Sequence, residues 1–136
     1  MAALSRDQVK VPQLPEEEVP FPALGGNLLV RGLLMSRRLA NDRLHLACRK
    51  QLEGETEDQA HARAGAQIVA RLLHHAVVDP STGEPLMSEV EWDHLGGTHR
   101  AEVFHVFNVA MRLNGDDVEF ATKNSLPSPR VDLPSS

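Results

Sequence analysis

The stretch HHAVVDPSTGEPLMSEVEW, residues 74–92, decides how this chain is to be read. Adjacent histidines before an aspartate hint at a metal site, whereas Asp79-Pro80-Ser81-Thr82-Gly83 is turn chemistry between two helices. The helical reading is the better founded. Consecutive residues on a helix point about 100° apart, so His74 and His75 are poorly placed to share one ion. Pro80 and Pro85 forbid helix through the middle, and Gly83 supplies a turn. Val77-Val78 then closes one amphipathic helix. Leu86-Met87 gives apolar contacts before Ser88, whose hydroxyl caps a new helix with Glu91 three residues on, a capping box.

Upstream of that connector, the pattern has a period near 3.6. From Ser36 as N-cap, Ala40, Leu44, Ala47, Cys48 and Gln51 mark one face of a helix that Gly54 stops. A second helix opens at Thr56, with Glu57 and Asp58 complementing its positive N-terminus. It carries Ala60, Ala64, Ile68, Leu72 and His75, widened by Val69, Leu73, Ala76 and Val77. Downstream, the helix begun at Ser88 bears Trp92 and Leu95 and stops at Gly96-Gly97. Thr98 caps a fourth helix whose apolar side is Val103, Phe104, Phe107, Ala110 and Met111, and Asn114-Gly115 ends it.

The N-terminal region differs. Pro12, Pro15 and Pro20 with Glu16-Glu17-Glu18 read as an extended or disordered leader over residues 1–18. In FPALGGNLLVRGL, Gly25-Gly26-Asn27 separates two short apolar segments, which predicts a small β-hairpin that packs on the helices or lies against a partner. Residues 124–136, rich in proline and serine, read as a flexible tail. The expected fold is therefore mainly α: a compact bundle of about four helices over residues 19–123, with a small N-terminal hairpin and flexible termini.

Composition narrows the function. A chain of 136 residues with 4% aromatics and a net charge of −5 is one domain with an aliphatic core. The basic residues from Arg37-Arg38 to Arg49-Lys50 lack aromatics for stacking and read as a solvated helix face, which argues against nucleic acid. No apolar run approaches the ~20 residues of a membrane span, and the N-terminus is too polar for a secretory signal. Cys48 alone cannot form an internal disulfide. The seven histidines fit no metal-binding spacing, and the sequence lacks a nucleophile elbow, a phosphate loop or a thiol pair. No catalytic residue, metal or cofactor is expected.

The order of motifs carries a resemblance. Asp79, Gly83 and Leu86 precede the short acidic helix, and Arg112, Leu113, Asn114 and Gly115 end the later one. This resembles the tail assembly chaperones of long-tailed, lambda-like bacteriophages, in which an Asp-x-x-Gly-x-x-Leu turn and an Arg-Leu-Asn-Gly signature occur in that order. The resemblance spans residues 21–124, and GGNLLVRGL is similar to openings seen in that family. Pro85 and the Pro-Ser-Thr insertion make the connector longer than the family's common form. The resemblance implies a non-enzymatic protein that binds the tape measure protein and recruits tail tube subunits in the cytoplasm of the bacterial host. Such a protein is absent from the finished virion; self-association is a further option.

Helix-in-groove docking suits a long helical client. Leu86, Met87, Trp92 and Leu95 are the candidate partner-binding residues, with Trp92 and Leu95 as exposed anchors; the competing reading places Trp92, the only tryptophan, in the core. The rival functions are a structural neck or tail component of the virion and a small metal-dependent hydrolase using the histidines.

Overall fold

In a computed structural model that describes residues 2–115, the chain forms a three-stranded antiparallel sheet and four helices. Strand β1 covers Glu16–Phe21, β2 Gly26–Arg31 and β3 Val77–Val78, in the order β1-β2-β3. The helices are α1 (Met35–Cys48), α2 (Glu57–Ala76), α3 (Glu89–Thr98) and α4 (Arg100–Leu113). The mainly α architecture with a small N-terminal hairpin is the one expected.

The hairpin follows the period of two that strands impose. Val19 pairs with Leu28 and Glu17 with Val30. Val19, Phe21, Leu28 and Val30 all point inward and are buried. The reversal is a single 3-10 turn, Pro22–Leu24, closed by Gly25 at φ 82°, so Gly26 and Asn27 belong to β2 rather than to the turn. β1 lies at the sheet edge, where its three glutamates discourage further strand pairing. Two of them are also tied inward: Glu16 to Arg31 at 2.6 Å and Glu17 to Arg112 at 2.7 Å. The strand thus begins inside the segment read as leader. The expected tail, residues 124–136, lies outside the described residues.

Helix caps are where local chemistry dictated most. Thr56 and Ser88 both form complete capping boxes, with Gln59 and Glu91 as the reciprocal residues. Other boundaries moved. Val77-Val78 is not the last turn of α2 but a strand, pairing Val78 with Leu29 and Val77 with Val30. Two β-branched residues next to β2 gain ladder bonds that a helix end could not give them. α3 runs through Gly96-Gly97 to Thr98, because no Cβ demand or positive φ interrupts it there. His99, not Thr98, occupies the start of α4, and it makes no side-chain cap.

The core lies between the sheet and α2, α3 and α4. It gathers Leu72, Leu73 and Ala76 of α2, Trp92 of α3, and Val103, Val106, Val109 and Ala110 of α4 against Phe21 and Val30. Phe104, expected on the apolar side of α4, is 45% exposed, while Val106 and Val109 turn inward instead. α1 packs beside α2 and stands apart from this arrangement.

Candidate functional site

The connector between α2 and α3 is a small folded unit. Asp79 Oδ1 accepts bonds from the Ser81 amide (2.8 Å) and hydroxyl (2.7 Å). These bonds hold its carboxyl below the usual carboxylate range. Gly83, at φ 76°, donates its amide to the Asp79 carbonyl, and Leu86 donates to Val77. Asp79 and Gly83 therefore shape a turn that presents Leu86.

The second motif does equivalent work at the other end of the domain. Asn114 is buried; its Oδ1 accepts from the Leu33 amide at 2.7 Å, and its Nδ2 donates to Ala110 at 2.7 Å. One side chain thus closes α4 and pins the link between β2 and α1. The approach is tight, since a Cβ on Gly32 would stand 3.1 Å from the Leu113 carbonyl. Gly115 follows at φ 82°, and Arg112 reaches across to Glu17. Asp79, Gly83, Arg112, Leu113, Asn114 and Gly115 act on the fold.

The histidines stay separate. Among the described residues, no three His, Cys, Asp or Glu side chains converge as metal ligands. His74 Nδ1 lies 2.8 Å from the Met87 carbonyl, which fixes the connector to α2. His75 meets it edge-on, with ring centroids 4.7 Å apart. Burial, then the positive charges of Arg37 and His74, push the His75 imidazole below its usual range, and Glu89 opposes them.

The four residues expected to meet a partner divide. Trp92 is only 1% exposed, so it is core and not an anchor. Met87 and Leu95 are partly buried against that core. Only Leu86 is exposed, at 41%. The reason is the direction of α3, which lies across α2 and α4 and turns Trp92 beneath itself. Its outward residue is Val90, over an open hollow of about 310 Å³ between α2 and α3, lined by Ala66, Ala70, Glu89 and Asp93.

The strongest surface signal lies elsewhere, on α1. Sequence periodicity marked Ala40, Leu44 and Ala47 as its inner face, yet all three are exposed. The side turned toward the domain is instead Arg38, Asn41, His45 and Cys48, at i, i+3, i+7 and i+10. Asn41 is the one buried residue of the helix, and neither of its amide atoms has a hydrogen-bond partner. Outward stand Met35 (75% exposed), Leu39 (57%) and Leu46 (71%), with Leu34 and Leu52 exposed at either end. Met35, Leu39 and Leu46 recur at i, i+4 and i+11 and so form one stripe about 16 Å long.

Two clamps impose this orientation. Asn114 fixes the entry to α1 at Leu33. At the exit, Arg63 of α2 donates to the Cys48 carbonyl (3.1 Å) and the Lys50 carbonyl (2.8 Å). The same guanidinium pairs with Glu55 at 2.7 Å and holds that carboxyl below its ordinary range. Leu34-Met35 and Leu39 were the available signal in the sequence, apolar residues off the Ala40, Leu44 and Ala47 face that the periodicity did not include.

Comparison of the chain with known protein families, characterised proteins and solved structures found no match.

Proposed function

We propose that this protein is a non-enzymatic tail assembly chaperone of a long-tailed bacteriophage. In this reading it binds the tape measure protein and recruits tail tube subunits in the host cytoplasm, and it leaves before the virion is complete. The observation that carries the protein-binding part is the outward stripe of Met35, Leu39 and Leu46 on a helix whose inward side is polar. Large apolar side chains left exposed together on one helix face of a small domain mark a place for another chain. A long helical client fits it, because helix faces dock through apolar residues spaced three or four apart. The tail-building part rests on the ordered motifs Asp79-Gly83-Leu86 and Arg112-Leu113-Asn114-Gly115, which in this chain brace the fold that displays α1.

The test is co-expression with the tape measure protein encoded in the same gene cluster. The unmodified protein should keep that client in the soluble fraction. Leu39→Ser with Leu46→Ser should abolish this while the helical circular dichroism and melting temperature stay as they were. A client that stays insoluble beside the unmodified protein would refute the chaperone reading. Full solubilisation by the double variant would move the contact off α1.

A further inference from the structure

We infer that the outward face of α1 selects an acidic amphipathic helix as its partner segment. The inference rests on the protein-binding reading of that face and adds the chemistry of what lands there.

Charge is the first argument. The chain as a whole carries −5, yet from Met35 to Lys50 it holds Arg37, Arg38, Arg43, Arg49 and Lys50 against one acid, Asp42. By helical position Arg43 and Lys50 flank one side of the Met35–Leu39–Leu46 stripe and Arg49, at the C-cap, the other, while the one acid, Asp42, lies on the stripe between Leu39 and Leu46. Arg43 and Arg49 are exposed, and among the described residues neither takes part in an ion pair. A basic, apolar strip on an acidic protein complements a segment with an apolar seam and acidic flanks.

Shape is the second. The stripe spans about three helical turns, the length over which a partner helix can place residues at i, i+4 and i+7. Two other occupants of a basic amphipathic surface fit less well. A bilayer interface favours Trp and Tyr anchors, and α1 has no Phe, Trp or Tyr. Nucleic acid is disfavoured because the centre of the strip is leucine, methionine and the acidic Asp42, with no stacking group.

The experiment uses the full chain and two labelled synthetic helices with the same leucine seam, one flanked by glutamates and one by lysines. Fluorescence anisotropy at low salt should give about fivefold tighter binding of the glutamate peptide, the scale of one or two exposed ion pairs. That preference should shrink at high salt. Arg43→Glu with Arg49→Glu should reverse it, and Leu39→Ser with Leu46→Ser should remove binding of both peptides.

Equal affinity for the two peptides, or no binding of either, overturns the inference. So does pelleting of the protein with phosphatidylserine vesicles when the glutamate peptide does not bind. Because no tape measure protein enters this assay, its failure leaves the co-expression result to judge the chaperone reading by itself.

Discussion

α1 and α4 are both 14 residues long, and each has leucine, valine or methionine on every turn or nearly so. They are used in opposite ways. α4 buries Val103, Val106, Val109 and Ala110 against the sheet and α2. α1 buries Asn41 alone and leaves Leu39 and Leu46 in water. Local propensity favours helix in both segments, and packing stabilises each one. Which side faces in is set by what holds the ends. α4 is drawn onto a ready apolar surface made by Val19, Phe21, Leu28 and Val30. α1 is held by two hydrogen-bonded clamps, Asn114 at its start and Arg63 at its end, and these fix a rotation that its own apolar residues would not choose.

The contrast breaks first at the core. Trp92→Ala should cost about 3–5 kcal/mol, the range for losing a large buried aromatic. Urea denaturation would read this as a large drop in midpoint. A loss near zero would mean that Trp92 is a surface residue after all, and the division between the two regions would fail.

Removing a clamp comes next. Asn114→Ala leaves the Leu33 amide without its partner and should cost about 1–3 kcal/mol. If the clamp sets the rotation of α1, the variant should also expose the α1–α2 loop to limited proteolysis earlier than the α4 end. Unchanged cleavage at that loop would show that Asn114 stabilises α4 alone.

The inward polar side of α1 offers a change of opposite sign. Asn41→Leu replaces a buried amide whose atoms lack partners, and should raise stability by about 1 kcal/mol. A destabilised variant would show that the Asn41 amide does bond within the folded protein.

The smallest effect lies at the seam between the regions, where His75 of α2 feels Arg37 of α1. A histidine with a lowered folded pKa binds fewer protons folded than unfolded. Stability should therefore be level above the ordinary value of 6.5 and decline as pH falls below it. His75→Gln should flatten that decline, and Arg37→Gln should soften it. Asp79 acts in a separate and more acid window: its stabilisation holds above 3.8 and is lost as pH drops further. A slope between about pH 7 and 5.5 that persists in His75→Gln would assign it to another histidine.

Much of the fold was legible from the chain. Thr56 and Ser88 announced their helices because a capping box is complete within four residues. The hairpin was legible from glycine and asparagine between two short apolar segments, and the Asp79–Gly83 turn from residue types that bond their own backbone. Val77-Val78 was not: its strand exists only because β2, some 47 residues earlier, lies beside it. The site was the least legible part. Leu86 is exposed, Trp92 took the core position that the competing reading gave it, and the α1 stripe was not singled out.

By itself, then, the sequence determined where α2 and α3 begin and where the Asp79–Gly83 turn falls, since those are settled by neighbours within one turn of the chain. It also determined the charge contrast between α1 and the rest. Only the tertiary structure decided which apolar residues are core and which are surface. A helix with apolar residues on more than one side has no intrinsic inside. Its rotation came from distant partners, Asn114 on Leu33 and Arg63 on Cys48 and Lys50, whose bonds carry no periodic trace in the sequence.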